Sequence, residues 1–190
     1  MKKILLLSPL IILLSACGSQ NLKPINTVAY VDLDKFMGDW YVIANIPTFI
    51  ETDAFNAIET YKMNSDGTIA TTFTFAEGAA DGKRKQYNPT GFIVDTESNA
   101  LWDMQFIWPF KAEYRVIYLD DNYQTTIIGR SKRDYVWLMS RQPDMDETTY
   151  RSLLAFIESQ GYDINKVQKV PQVWEQQTEN NKALNESKAQ

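Results

Sequence analysis

Apolar and polar side chains that alternate in short segments, separated by closely spaced turns, are the feature that most restricts the fold. One face of the segment 68–75 carries Ile69, Thr71, Phe73 and Phe75. Turn signals occur at 64–67, 81–82, 88–89, 95–99, 108–109 and 120–122. A period of two with turns at this spacing is typical of an antiparallel sandwich or barrel. We therefore predict an all-β domain.

The last of these alternating segments, 135–139, is apolar on both faces. A strand of this kind needs a cover on its outer face. The residues that follow supply one, because 146–160 carries four apolar side chains at helical spacing. These are Tyr150, Leu153, Leu154 and Ile157. We predict one C-terminal helix packed on the wall of the sheet, with a last short strand between 167 and 173.

The first 17 residues have the pattern of a targeting segment. Lys2 and Lys3 precede the apolar run 4–14, which is too short to span a membrane. Small residues then lead to Cys17, and the tetrapeptide 14–17 resembles the lipobox of bacterial lipoproteins. That resemblance implies cleavage before Cys17 and acylation of its thiol and amino group. An ordinary secretory signal followed by a coincidental cysteine is the alternative.

The predicted organisation has four parts: signal peptide 1–16, lipidated tether 17–29, folded domain 30–174 and a disordered polar tail 175–190. Removal of residues 1–16 leaves 174 residues, a size that suits one domain. Cys17 is the only cysteine, so the fold relies on packing without disulfides.

Composition excludes several classes of function. The chain contains no histidine, which removes histidine triads, imidazole metal sites and histidine haem ligation. Its formal net charge is −5, and it becomes −7 when Lys2 and Lys3 are lost with the signal. We therefore expect no metal, no cofactor and no nucleic-acid partner.

Three short motifs occur in order along the chain, namely Gly38-Asp39-Trp40-Tyr41, Asp120-Asp121-Asn122-Tyr123 and Ser140-Arg141. They resemble the three sequence motifs of the lipocalins, and the resemblance runs from about residue 31 to 173. It implies an eight-stranded antiparallel up-and-down barrel, closed at one end where the three motifs meet. Gly38, Trp40 and Arg141 would be structural, with Arg141 over the Trp40 indole. A catalytic role for Arg141 is disfavoured because guanidinium groups are poor acids and bases.

The inward faces of such a barrel supply the candidate ligand site. The residues are Phe73, Phe75, Trp102, Met104, Phe106, Tyr114, Val116, Tyr118, Ile127, Tyr135 and Trp137. Each taken alone is equally well explained as packed core. Glu59 points inward if Ala57, Glu59 and Tyr61 share the inner face, and outward if the register slips by one residue. The sequence leaves this open.

The open-end loops would lie near 46–56, 76–86, 107–113 and 129–134. They contain seven basic residues: Lys83, Arg84, Lys85, Lys111, Arg130, Lys132 and Arg133. Six acidic residues occur in the same loops: Glu51, Asp53, Glu77, Asp81, Glu113 and Asp134. A solvated rim is the favoured interpretation, and a mouth that attracts phosphate is the alternative.

Taken together, the resemblance implies an outer-membrane lipocalin, anchored through Cys17 and most simply facing the periplasm. Gly18 and Ser19 resemble the outer-membrane sorting choice of lipoproteins. The expected function is binding, storage or transport of a lipid with one acyl chain, such as a lysophospholipid or fatty acid, without catalysis. Two alternatives remain: a lipocalin-fold enzyme using Glu59, and an interaction protein with a filled barrel. A homodimer is left open.

Overall fold

The computed structural model describes residues 24–174. The predicted signal peptide, Cys17 and the tail 175–190 lie outside the described residues. The elements, in chain order, are α1 Leu33–Phe36, β1 Gly38–Ile46, β2 Ala54–Met63, β3 Ile69–Glu77, β4 Lys83–Tyr87, β5 Thr90–Ile93, β6 Leu101–Ile107, β7 Phe110–Leu119, β8 Thr125–Gly129, β9 Val136–Ser140, α2 Glu147–Ser159, a 3-10 helix Ile164–Lys166 and β10 Gln168–Lys169.

The strands form one antiparallel sheet that closes on itself. The strands pair in the order β1-β2-β3-β5-β6-β7-β8-β9, and β9 pairs back with β1. Both β4 and β5 pair with β3, and the break between them falls at Asn88 and Pro89, so they occupy one strand position. The barrel therefore has eight strand positions, which confirms the predicted fold class. The short strand β10 pairs with β1 outside this circuit.

A β-bulge in β7 changes which side chains face the barrel interior. The register shifts between Val116 and Tyr118, so the strand carries one extra residue there. Val116 packs in the interior cluster, whereas Tyr118 packs in the outer one. On β8, Ile127 lies opposite Tyr118 and belongs to the same outer cluster. The prediction that Tyr118 and Ile127 face the cavity is therefore wrong.

The predicted helix is confirmed, and it covers the barrel wall. Tyr150, Leu153 and Ile157 are buried on one face of α2. They pack in the outer cluster, which also contains Ile127 and Leu138 from β8 and β9. The helix starts after Asp146, whose side chain accepts a hydrogen bond from the Thr149 N–H at 2.9 Å. Both faces of β9 are thus buried, as its sequence indicated.

One end of the barrel is closed by α1 and Arg141. The Arg141 guanidinium carbon lies 3.8 Å from the centroid of the Trp40 ring. Its Nη2 group donates to the backbone carbonyl oxygens of Lys35, Phe36 and Met37 in α1 and its C-terminal cap, at 2.8 to 2.9 Å. The Trp40 indole N–H donates to the carbonyl oxygen of Phe36. Arg141 therefore lies over Trp40, as the resemblance implies, and it also ties the first helix to the barrel floor.

The chain before α1 runs along the barrel. Ile25 is buried in the outer cluster. The Val28 N–H donates to the carbonyl oxygen of Val116 at 2.9 Å, and the Val31 N–H donates to that of Ser98 at 2.8 Å. Residues 24–29, which we placed in the tether, therefore include a part that packs against the folded domain.

Candidate functional site

A cavity of about 400 Å³ lies inside the barrel, at the end opposite α1. Its walls come from β2, β3, β6, β7 and β9, and its rim comes from the loop after β1 and from Ile107 and Phe110, the strand ends that flank the turn between β6 and β7. Six of the predicted ligand residues line it: Phe73, Met104, Phe106, Tyr114, Tyr135 and Trp137. The size falls in the range typical of small-molecule sites.

Three other predicted ligand residues face the interior without lining this cavity. Trp102 is fully buried, stacks on Tyr114 and donates its indole N–H to the carbonyl oxygen of Asn99 at 2.7 Å. Phe75 and Val116 are likewise buried in the interior cluster. Trp102 and Val116 fill the barrel between the cavity and the closed end, whereas Phe75 lies nearer the open end than Phe73 on β3. Alternation therefore found the correct face but not the position of each side chain along the barrel.

Glu59 lies on the inner face of β2 and lines the cavity. This answers the question that the sequence left open. Its carboxylate accepts a hydrogen bond from the Tyr61 hydroxyl, which also shares a hydrogen bond with the Tyr114 hydroxyl. Within residues 24–174 no basic side chain forms an ion pair with Glu59. Burial, together with the charge of nearby Glu51, raises the pKa of Glu59 to about 8.

Glu51 is a second buried carboxyl group on the cavity wall. It accepts hydrogen bonds from the backbone N–H and hydroxyl of Thr48, both at 3.0 Å, and from the Trp137 indole N–H at 3.2 Å. Burial raises its pKa, and these hydrogen bonds oppose that effect. Sequence reasoning placed Glu51 on the charged rim and missed its burial, because a loop between strands has no periodicity to read.

Thr71 is a further cavity residue that we did not select. Its side chain is buried on the same face as Phe73, and its hydroxyl has no hydrogen-bond partner among residues 24–174. Alternation along β3 could have found it, because Thr71 and Phe73 are two residues apart. A hydroxyl left unpaired in a largely apolar cavity can bond a polar group of a ligand or a water molecule.

Several of the rim charges form ion pairs. Lys85 lies 3.2 Å from Glu77, and Arg130 lies 3.2 Å from Asp134. Glu113 forms an ion pair with Arg115, which lies two residues further along the same face of β7. These pairs are typical of a solvated surface.

The cavity contains acids and hydroxyls but no assembled metal centre. Residues 24–174 hold no group of three or more histidine, cysteine, aspartate or glutamate side chains arranged to bind a metal ion. In the same part of the chain, no helix is both long enough and apolar enough to cross a membrane. The cavity presents mainly apolar side chains to a ligand, together with a few hydrogen-bonding groups such as Glu51, Glu59 and Thr71.

A closed eight-stranded barrel with one wall helix and a single-ended apolar cavity is the architecture of the lipocalins. The family model described as "Lipocalin-like domain" matches residues 31–172, and the chain belongs to this family.

Its relatives come from plants, bacteria and animals. Temperature-induced lipocalin-1 of Arabidopsis thaliana is 33% identical over 159 residues, covering 79% of this chain and 84% of the relative. Outer membrane lipoprotein Blc of Escherichia coli (strain K12) is 26% identical, covering 87% and 90%. Apolipoprotein D of Bos taurus is 27% identical, covering 75% and 77%.

Solved structures show the same fold. Insecticyanin from Manduca sexta superposes with a TM-score of 0.60 at 17% identity, covering 81% of this chain and 86% of that one. Apocrustacyanin C2 gives a TM-score of 0.60 at 12% identity, covering 76% and 81%. At these identities the likeness concerns the fold alone.

Proposed function

We propose that the protein binds an amphiphile with a single acyl chain, such as a lysophospholipid or a fatty acid, and stores or carries it in the bacterial envelope. The observation that carries the proposal is the cavity, which is aromatic, open at one end and about 400 Å³ in volume. An apolar cavity with a few placed polar groups suits a ligand with a long apolar part. Membership of the lipocalin family supports the same class of ligand.

The distribution of charge supports an orientation for this ligand. Glu51 and Glu59 both lie on the cavity wall, where an anionic head group would meet carboxyl groups. Lys83, Arg84 and Lys111 lie on exposed parts of the rim or of β4 beside it. We infer that the chain enters first and the head group stays near the mouth, because that arrangement keeps an anion away from the buried acids.

The membrane anchor is part of the same proposal. Cys17 is the last residue of the lipobox-like tetrapeptide. A single acyl chain binds a membrane only weakly, whereas two or more chains give stable attachment. Several relatives bear the name outer membrane lipoprotein, including those of Escherichia coli and Citrobacter freundii. These names support attachment to the outer membrane, and we propose that the barrel faces the periplasm.

A second candidate function is catalysis on a lipophilic substrate, and Glu59 is the observation that favours it. A carboxyl group with a pKa of about 8 inside an apolar cavity can hold or deliver a proton near neutral pH. The Tyr61 hydroxyl donates a hydrogen bond directly to this carboxyl group. The third interpretation, an interaction protein with a filled barrel, is disfavoured by the cavity.

The deciding experiment is extraction of the purified protein and identification of the lipids that co-purify with it by mass spectrometry. The proposal expects lipids with one acyl chain, bound near one per barrel and returned unchanged after incubation. Conversion of an added lipid into a new species, abolished by Glu59→Gln, would establish the catalytic alternative. Failure of any single-chain lipid to bind would contradict the binding function.

A further inference from the structure

Among residues 24–174, most of the exposed large apolar side chains cluster at the mouth of the barrel. We use the term mouth patch for Phe49, Phe106, Ile107, Trp108 and Phe110. Phe49 is 87% exposed, Trp108 is 81% exposed and Phe110 is 76% exposed. Clustered exposure of this kind marks an interaction surface, whereas scattered exposed apolar residues do not.

The shape of the mouth patch is a pair of projecting loops. Ile107 and Phe110 pair directly across the ladder of β6 and β7, so Trp108 and Pro109 form the tip of a two-residue turn. Phe49 lies in the loop between β1 and β2. The cavity is bordered by Phe49, Ile107 and Phe110 together, so the patch surrounds the opening.

Basic side chains without an acidic partner surround the patch. Lys83, Arg84, Lys111 and Lys132 form no ion pair among residues 24–174, and Lys111 lies over the ring of Phe92. On the acidic side, three rim groups form no ion pair in that range: Asp53, Asp81 and Glu51, the last of which is buried on the cavity wall. The unpaired rim charge is therefore positive, on a chain whose net charge is negative.

We propose that the mouth patch docks the barrel onto the surface of a phospholipid bilayer, with the turn at Trp108 inserted among the acyl chains. Indole and phenyl rings beside lysines are the combination that settles at a membrane interface, where the apolar ring is buried and the cation meets phosphate. Two narrow projecting loops around an opening can enter a fluid surface. A flat protein partner would contact only their tips.

Docking in this orientation gives the cavity direct access to the bilayer. Phe49, Ile107 and Phe110 belong both to the cavity lining and to the mouth patch. A chain that leaves the bilayer between these side chains stays in apolar surroundings throughout and avoids exposing its methylenes to water. The inference goes beyond lipid binding, because a barrel could bind lipid without touching a bilayer.

The test uses the full chain with Cys17→Ser in every sample, so that no acyl anchor forms. Vesicles of phosphatidylethanolamine and phosphatidylglycerol are mixed with the protein and separated by flotation. Trp108→Ser should bind at least about tenfold more weakly, because it loses the side chain at the tip. The matched control is Tyr30→Ser with Val94→Ser, which removes two exposed apolar side chains outside the mouth and should bind like the parent.

A local signal distinguishes docking from attachment by the N-terminal segment. The emission of Trp108, obtained by difference from Trp108→Phe, should shift to the blue on vesicles and be quenched by two-chain phospholipids brominated on their acyl tails. Unquenched Trp108 in vesicle-bound protein, or equal flotation of Trp108→Ser and parent, would overturn the proposal. So would a parent dimer that Trp108→Ser converts to monomer without loss of flotation, since the patch would then bind a second copy.

Lipid binding by the cavity is measured in a separate experiment without vesicles. Trp108 does not border the cavity, so Trp108→Ser should bind a soluble single-chain lipid with parent affinity in the absence of vesicles. Retained binding also shows that the variant is folded. Loss of vesicle docking with retained lipid binding supports the proposal, and loss of both would mean that the turn maintains the cavity instead, which would overturn it.

Discussion

At the scale of single residues, Glu59 couples the cavity to pH. Its folded pKa of about 8 exceeds the ordinary value of 4.5, so between these two values the folded state holds a proton that the unfolded chain has lost. The free energy of unfolding therefore falls as pH rises from about 4.5 to 8. Glu59→Gln should flatten this slope and stabilise the barrel above pH 8 by roughly 2 to 4 kcal/mol, because one pKa unit corresponds to about 1.4 kcal/mol. Urea denaturation across this pH range measures the effect.

Glu158→Gln is the matched control, since Glu158 lies on the exposed face of α2. It should keep the parent slope. Glu51 and Tyr114 are also near Glu59. The titration of Glu51 remains in the Glu59→Gln profile, whereas burial raises the pKa of Tyr114 well above this pH range. Binding of a fatty acid should also improve as pH falls in the parent and lose that dependence in Glu59→Gln. A parent slope that survives the substitution would show that Glu59 is ionised in the folded barrel.

Trp40 and Arg141 belong to the closed end and should affect stability more than binding. Trp40→Ala removes a fully buried side chain and should cost about 3 to 5 kcal/mol. Arg141→Ala should cost less, about 2 kcal/mol, because its hydrogen bonds to α1 are partly exposed. Thermal denaturation measures both effects. Either variant keeping parent stability while losing lipid affinity would contradict a structural role for this pair.

At the scale of elements, alternation predicted strands well and failed where the backbone departs from a simple ladder. It placed Phe73, Met104 and Tyr114 correctly, because β3, β6 and β7 are regular at those positions. It failed beyond Val116, because a bulge adds one residue and no residue type announces it. Burial of Glu51 was also beyond prediction, since a loop is positioned by tertiary contacts.

The corrected faces of β8 give a prediction. Ile127→Ala opens a hole between the barrel wall and α2, and should destabilise the domain by about 2 to 5 kcal/mol. Its effect on lipid affinity should be negligible, because Ile127 faces the helix. Phe73→Ala, on the cavity wall, should weaken lipid binding instead. Chemical denaturation and lipid titration by tryptophan fluorescence separate the two effects.

Parent-like stability of Ile127→Ala, or a loss of lipid affinity as large as that of Phe73→Ala, would contradict the assignment of Ile127 to the face that packs against α2. Both variants are compared at equal folded fraction. This excludes a fall in affinity that only reflects unfolded protein.

At the scale of the whole molecule, the three motifs predicted the fold because they meet at one end in space. Gly38, Tyr123 and Arg141 are far apart in sequence, yet all three lie at the floor of the barrel beside α1. Such a convergence depends on topology and is therefore more informative than any single strand pattern. The cavity depth was not predictable, since it depends on how far Trp102 and its neighbours fill the interior.

Attachment to the membrane should be separable from folding. Cys17→Ser should leave a folded, lipid-binding domain whose share in the outer-membrane fraction after a high-salt wash falls well below that of the parent, because the predicted covalent anchor is lost and only docking through the mouth patch remains. Cell fractionation with immunodetection measures this. Ser15→Thr with Cys17 retained serves as a control for altered processing. Persistence of Cys17→Ser in the washed outer membrane at the parent level would contradict the lipoprotein assignment.

Ligand size should be limited by the barrel itself. Eight strand positions enclose a narrow interior, and the cavity of about 400 Å³ is shortened by the packed floor. Burial of about 12 methylenes at about 0.8 kcal/mol each gives a gross gain of roughly 10 kcal/mol. Ordering and association offset several of these, which leads to a dissociation constant in the micromolar range.

A lysophospholipid should therefore bind with micromolar affinity, whereas the matching two-chain phospholipid should bind at least about tenfold more weakly, because its second chain cannot be buried in the same cavity. Titration in detergent-free buffer, followed by the fluorescence of Trp137 on the cavity wall, measures both. The fatty acid methyl ester is the control for the head group. If it binds as tightly as the lysophospholipid at low salt, the unpaired rim cations Lys83 and Arg84 do not hold the phosphate. Equal affinity for one-chain and two-chain lipids would show that the barrel opens further than its packed floor allows.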